Sequence, residues 1–569
     1  MIAEARDVPV GSELAADLCI VGGGAAGITL ATAFADSSVE VVLLESGGET
    51  WEQATDELLD GSVVGLPYPL DGSRLRYFGG SMNHWGGYCR PFETTDFETH
   101  DWIPDSGWPI GLEDLAPYYP PAATMVGAAI PLDDMARWPA FDDAPGLPLA
   151  DERLRIVAAQ IVPRAKRSMA RRFRDGLAAA SNVQVLLHAN AVEIETDAAG
   201  RIVERIHVAT LDGRRFTVRG RAVVLALGGL ENARLLLASD RVRPGGVGND
   251  HDLVGRYFLE HPRFVAGELT PSDPGNPMRL FEPHDAAGAE AIGYIALTES
   301  AMRDEGLVGV QFQLDAMHDP GVDAALDGSA ATSARDLLRY LRLRRIGDKF
   351  GENVGRVAAD LSTWQRSTVA GGPLPVPRPE VVAEVLRRLG TEDQDRLLPL
   401  LFGDVGTLAV DRWWSALPVR RLAVISRFEP APRADSQVRL GDDRDALGMR
   451  RIDLDWTLSD QDLHSVARAV DILGEAVGAA GLGRVRSLLD PDDPAWPADL
   501  EIGPHHMGTT RMSDDPTRGV VDADGQVHGM DGLFVAGSSV FPTAASGTPT
   551  LTLVALALRL ADHLRGRLA

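Results

Sequence analysis

The chain has 569 residues, 45% hydrophobic and 24% charged, an ordinary balance for a globular protein with room for two or more packing units. A formal net charge of −27 argues against nucleic acid or an anionic membrane surface as a partner, because both require clustered positive charge. The two cysteines, Cys19 and Cys89, cannot make a disulfide framework, and without a C-x-x-C there is no sign of dithiol or metal chemistry.

In chain order, the first elements carry the clearest signal. The mostly apolar run Ala16 to Ile20 predicts a strand that buries Cys19, and Ile28 to Phe34 predicts a helix. Between them Val21 to Gly27 reads Val-Gly-Gly-Gly-Ala-Ala-Gly, which puts Gly22, Gly24 and Gly27 in the G-x-G-x-x-G register. The first glycine permits the tight turn, the second lets backbone approach a pyrophosphate, and the third lets helix and strand pack closely. The helix N-terminus offers unpaired N–H groups to phosphate charge. A second apolar run, Val39 to Leu44, leads to Glu45, eighteen residues past Gly27, where a carboxylate can bond a ribose 2′-OH. A glycine-rich turn that merely packs well is the plainer alternative. The flanking strands and the acid favour a dinucleotide site.

Residues 51–120 hold many turn signals (Asp71-Gly72, Gly79-Gly80, Gly86-Gly87, Ser106-Gly107), predicting an extended loop over a ligand. Residues 151–182 read as helical. Strands follow at Val183–Leu187, Val192–Thr196, Ile206–Thr210 and Arg215–Val218, then an apolar strand Ala222–Leu227 ending in Gly228-Gly229 and a helix from about Asn232 to Ala238. Residues 262–425 are weakly patterned, with proline-rich breaks such as Pro373 to Pro379. Further strands are expected at Leu422–Arg427, Gln437–Leu440 and Ile452–Trp456, and a long amphipathic helix at Ser459–Ala480. The N-terminus lacks a basic segment followed by an apolar core and cleavage site, and Leu551–Leu558 is too short to span a bilayer. A cytoplasmic protein with no membrane partner is the expectation.

Three further clusters follow the fingerprint in order: Phe78-Gly79-Gly80-Ser81-Met82-Asn83-His84-Trp85-Gly86-Gly87, His505-His506-Met507-Gly508-Thr509-Thr510-Arg511-Met512, and Leu533 to Thr543 leading to Pro549-Thr550-Leu551-Thr552. Together they resemble the glucose–methanol–choline (GMC) family of flavin-dependent oxidoreductases, over residues 16–120, 183–262 and 435–569. Gly-Gly-x-x-x-His-Trp and His-x-Met-Gly-Thr-x-Arg-Met look most like the branch of pyranose oxidases and bacterial sugar or glycoside oxidases. The resemblance implies an α/β fold: a discontinuous Rossmann-like FAD-binding domain (1–262 and 500–569) and a substrate domain (263–499) on an antiparallel sheet carrying helices. It implies FAD, and oxidation of an alcohol on a sugar, polyol or glycosylated small molecule, with oxygen or another electron acceptor. The family also holds oxidases of simple or natural-product alcohols, and lyases that use FAD without net redox.

By the same resemblance His505, three residues before Gly508, is the base that takes the hydroxyl proton as hydride passes to flavin N5, a task suited to imidazole. His506 faces elsewhere. The position before Pro549, commonly Asn or His in the family, is Thr548, whose hydroxyl has a shorter reach. His84 matches the histidine that carries covalent flavin in pyranose oxidases, though it also suits packing beside a non-covalent one, and Trp85 is a packing residue. Arg76, Gly79, Gly80 and Asn83 join the cofactor set, with Gly228 and Gly537 at strand ends, and Pro549 and Thr550 at a helix N-terminus suited to negative charge at the flavin N1–C2 edge. Val192 falls where relatives touch adenine through backbone, and equally reads as core. His261 reads as structural. Trp364, Trp413 and Trp414 suit stacking on a sugar face or core packing.

Overall fold

The computed structural model describes residues 1–128, 148–149, 151–273, 281, 284–286, 289–317, 421–489, 496–497 and 500–569. Trp364, Trp413, Trp414 and Pro373 to Pro379 lie outside them.

The first sheet has eight strands in the order Ile2–Glu4, Val183–Leu187, Val41–Leu44, Glu13–Val21, Arg215–Leu225, Val203–Ala209 and Asn190–Thr196, with Leu533–Val535 also paired to Arg215–Leu225. From Ile2–Glu4 through Arg215–Leu225, and on to Leu533–Val535, every pairing is parallel. Parallel strands are covered on both faces, which is why Leu18 to Val21 and Val41 to Leu44 are continuous apolar runs. The helix Ala25–Phe34 lies on this sheet, and a Cβ at Gly27 would stand 1.9 Å from the Gly22 carbonyl oxygen, so only glycine allows that contact. The C-terminal helix Thr550–Leu568 packs beside it, with Ala557, Leu560 and Leu564 in the same core as Ile28 and Leu30.

A second, antiparallel sheet runs in the order Gly483–Ser487, Arg263–Pro271, Arg421–Phe428, Val310–Met317, Ala289–Leu297, Leu154–Ile161 and Tyr88–Cys89, with His284–Ala286 paired to Ala289–Leu297. One face carries Phe264, Phe312, Val424 and Phe428 and packs against Val466, Val470, Leu473 and Val477 of the helix Asp460–Ala479. Ser459 and Asp462 form the capping box that starts this helix. A third sheet joins Gln437–Arg444, Arg450–Asp455 and Gly61–Val63. The expected α/β architecture, with an antiparallel second sheet carrying a helix, is the one observed.

Three local expectations need correction. Residues 151–182 are not helical throughout: Leu154–Ile161 is a strand and only Arg164–Arg167 and Met169–Ala179 are helical. Its alanines favour helix in isolation, but Val157, Ala158, Ala159 and Ile161 are buried in the sheet, and packing outweighs propensity. Residues 51–120 are not one extended loop, since short helices stand at Gln53–Asp56, Thr94–Phe97 and Leu112–Leu115, the second held by a capping box of Glu93 and Asp96. The two strands expected at 215–218 and 222–227 are one, because Gly220 pairs in register with Ala16.

Candidate active site

The ends of the parallel strands, the 3-10 turn Gly80–His84, the segment 502–506 and the start of Thr550–Leu568 enclose a cavity of about 500 Å³. One end is built largely from backbone. Gly22 has φ +111°, and a Cβ there would stand 2.5 Å from the Ala226 carbonyl oxygen. At Gly24, Gly228 and Gly537 a Cβ would meet nothing within 4 Å, and all three line the cavity. Their bare edges leave the room that a bulky dinucleotide needs against the backbone.

Glu45 lines this end, buried. Its two carboxylate oxygens accept from the Gly23 and Gly47 N–H groups at 2.9 and 2.8 Å, which ties the glycine turn to the end of the second strand. Each oxygen keeps lone-pair capacity for a ribose hydroxyl. Burial raises its pKa despite these bonds and the Arg76 charge. Arg76 donates to Ser46 Oγ at 3.1 Å and pairs with Glu231 at 2.6 Å, beside Arg74 at 2.7 Å and Arg234 at 3.3 Å. Burial opposes ionisation of Glu231, yet Arg76, Arg234 and Arg74 hold it down to about 2. The loop closes directly on the fingerprint: Gly79 N–H donates to the Gly23 carbonyl at 2.9 Å, and Gly80 sits over Gly24.

The other end is built from side chains. Glu260, fully buried, accepts the backbone N–H of both His505 and His261 at 2.7 Å, and the Tyr68 hydroxyl at 2.5 Å. This carboxylate clamps the two histidine backbones. Their rings meet Nδ1 to Nδ1 at 2.8 Å, and His261 Nε2 stands 2.6 Å from the Ala545 carbonyl oxygen. A carbonyl only accepts, so His261 Nε2 carries the proton. Burial, and then the Arg427 charge, lower the His261 pKa to about 4, against the raising effect of the Ala545 bond, so His261 is neutral and its Nδ1 accepts. His505 Nδ1–H therefore donates to it. Burial first, then the cost of placing a positive charge beside His261, Arg427, His506 and Arg263, holds the His505 pKa well below 6.5. The neutral His505 ring thus keeps its Nε2 lone pair, and that atom has no hydrogen-bond partner among the described residues.

His505, Thr548, Gly22, Gly24, Glu45, Arg76, Gly80, His84, Gly228, Gly537, Pro549 and Thr550 all line this one cavity. Gly27, Gly79, Asn83 and Val192 do not. Asn83 instead donates to the Phe78 carbonyl and accepts from Ser168, and Val192 is half-buried in its strand. Thr548 spends its hydroxyl proton on the Tyr88 carbonyl at 2.9 Å, so toward the cavity it can only accept. His506 turns from His505 toward Ser73 Oγ at 3.2 Å and the rings of Tyr68 and Phe258. His84 is exposed on the cavity wall, and Trp85 is half-buried against two core clusters. Sequence reasoning missed Glu260, Arg263 and Arg427 and read His261 as structural. Only the adjacency of Glu260 and His261 to each other offered a local hint.

Residues 432–557 match the family model described as GMC oxidoreductase. A 2-methyl-1,2-propanediol dehydrogenase of Mycolicibacterium austroafricanum is 23% identical, over 97% of this chain and 95% of its own length. A C-glycoside 3-oxidase of Microbacterium trichothecenolyticum is 40% identical over 138 residues, 23% of this chain and 25% of that one. Among solved structures, the formate oxidase of Aspergillus oryzae RIB40, determined in work on modification of its FAD, matches with a TM-score of 0.51 at 16% identity. That match covers 98% of this chain and 99% of the oxidase, and speaks for the fold alone.

Proposed function

We propose that the chain, whose residues 432–557 match the GMC oxidoreductase family model, is an FAD-dependent enzyme acting on CH–OH donors that oxidises an alcohol of a sugar, polyol or glycoside to a ketone or aldehyde. The observation that carries this reading is the chain from His505 through His261 to the Ala545 carbonyl, which leaves a neutral imidazole whose Nε2, on the cavity wall, is unengaged among the described residues. FAD, when bound, supplies the hydride acceptor at N5 and passes electrons to oxygen or another acceptor.

The residues of the chain do the rest. His505 Nε2 takes the hydroxyl proton of the substrate, and the positive charge that develops on its ring is shared through Nδ1–H with His261. His261 prevents the other tautomer, in which Nδ1 would hold the lone pair and Nε2 the proton. Glu260 holds both backbones in place, and Thr548 accepts a hydrogen bond from the substrate. Gly22, Gly24, Glu45 and Arg76 would hold the nucleotide part of the cofactor, and the helix N-terminus at Pro549 and Thr550 would favour negative charge on its ring. In this reading His84, on the cavity wall, would carry a covalent bond to the flavin. Acid precipitation then leaves the yellow colour in the pellet, and His84→Ala releases it; colour wholly in the wild-type supernatant rejects covalency. The free buried thiols Cys19 and Cys89 fit a cytoplasmic setting.

The test is a product screen. Purified protein is incubated with neutral glycosides, uronates, polyols and simple primary alcohols, and products are analysed by mass for loss of two hydrogens. Oxidised sugar or polyol products support the reading, and turnover of simple alcohols alone rejects the sugar assignment.

A further inference from the structure

The second sheet turns its other face to the cavity, and that face carries a charge arrangement which the chemistry above does not use. Arg263 and Arg427 are directly opposite one another on adjacent antiparallel strands, and both line the cavity with His505. Like charges so placed destabilise a strand pair unless something neutralises them. Arg263 has a partner, donating from Nε and Nη2 to Glu501 at 2.9 and 2.6 Å. Arg427 has no hydrogen-bonded or ion-paired acid among the described residues. Its neighbour on the other side, Gln311, has its carbonyl oxygen committed to Arg90 at 3.2 Å. Glu429, two residues on, is pushed up to about 8 by burial and by the Asp96 charge, so it is mostly protonated at neutral pH. Among the described residues, two guanidinium groups against one carboxylate leave one positive charge over, within electrostatic reach of His505.

We propose that Arg427, backed by Arg263, binds a carboxylate on the substrate, so that the alcohol oxidised belongs to a carboxylated sugar or polyol rather than to a neutral one. This rests on the alcohol-oxidising reading of the same site. A single uncompensated charge suits a monoanion, and the planar fork of arginine matches a carboxylate in two parallel bonds. The anchored carboxylate would leave a ring hydroxyl of the same substrate to face His505.

The experiment uses the FAD-loaded protein with three probes: methyl β-D-glucuronoside, its neutral counterpart methyl β-D-glucoside, and glucose 1-phosphate. Anaerobic flavin reduction gives kcat/KM, and calorimetry on His505→Ala protein gives binding without turnover. The glucuronoside is expected to exceed the glucoside by about 10-fold or more, the scale of one charged hydrogen-bond pair. Arg427→Gln is expected to collapse that ratio, acting mainly through KM. Arg427→Lys, which keeps the charge and guards against a folding failure, is expected to retain part of it. Equal handling of glucuronoside and glucoside by the unaltered enzyme, equal losses on both in Arg427→Gln, or preference for the phosphate would each overturn the proposal. If no alcohol reduces the flavin, the reading of the reaction falls. Calorimetry then decides the anion site alone: glucuronoside binding that depends on Arg427 supports it, and no such binding overturns it.

Discussion

The two ends of the cavity are built by different means. At the nucleotide end, glycines at 22, 24, 228 and 537 shape the wall, and Glu45 accepts backbone N–H groups, so the geometry is a property of the main chain. At the histidine end, Glu260, His261 and His505 come from two segments about 244 residues apart, and the pairing of the two rings depends on which ring nitrogen holds a proton. A backbone-built surface tolerates change except where a Cβ collides. A side-chain network fails when any one member loses its partner. Substitutions at the two ends should therefore fail differently: cofactor retention or folding at one, the rate of the chemical step at the other.

The largest effect is expected at His505, the proposed base. His505→Ala should bind FAD yet reduce it roughly 10²–10⁴-fold more slowly, the usual contribution of positioned acid–base catalysis. His506→Ala, which loses a contact to Ser73 rather than the base, should lose far less. The pH profile carries the same information. If His505 acts as the neutral base, its pKa, held well below 6.5, should make the rate rise with pH on a limb below 6.5 and stay flat through neutrality. The unperturbed value of about 6.5 that imidazole suggests in isolation is displaced by burial and by the neighbouring cationic groups. Stopped-flow reduction across the pH range reads both.

The next effect isolates the tautomer. His261→Leu leaves His505 Nδ1–H without an acceptor and should slow reduction by roughly 10–100-fold, the cost of an unsatisfied buried donor. His261→Asn, whose Oδ1 can accept that proton, should recover part of the rate. A purely structural histidine would show a lowered Tm and no difference between Leu and Asn in rate per bound flavin.

At the nucleotide end, Gly22→Ala and Gly24→Ala should separate stability from binding. The first drives a Cβ to 2.5 Å from Ala226 oxygen at φ +111° and should lower the Tm of the apoprotein, by roughly 1–3 kcal/mol of strain. The second points a methyl into open cavity and should leave apoprotein stability close to wild type while weakening FAD retention. The smallest effect is expected at Thr548→Asn, which adds a donor amide beside the substrate. Activity should be kept or raised modestly in steady-state assays.

What could be read from the sequence follows the same division. Gly22, Gly24 and Gly27 were legible because a turn, a close approach and a helix contact each demand glycine at a fixed local spacing. His505 was legible only through its register with Gly508 and the family resemblance. His261 looked structural because its partners, His505 and Ala545, are remote in sequence, and no local pattern encodes a pairing of ring nitrogens. Arg427 sits in an apolar strand whose alternation says that it points away from the core, not that it faces a cavity. Leu154–Ile161 was misread because alanine-rich sequence favours helix until a sheet offers it two neighbours.

The most direct measurement is anaerobic mixing of the FAD-loaded protein with sugars, glycosides and uronates in a single turnover, followed by absorbance. Loss of the oxidised-flavin spectrum with formation of one carbonyl product per flavin, slowed roughly 10²–10⁴-fold in His505→Ala at equal FAD content, is the predicted result. An unbleached flavin with every alcohol, or equal rates of bleaching in wild type and His505→Ala, would contradict the account.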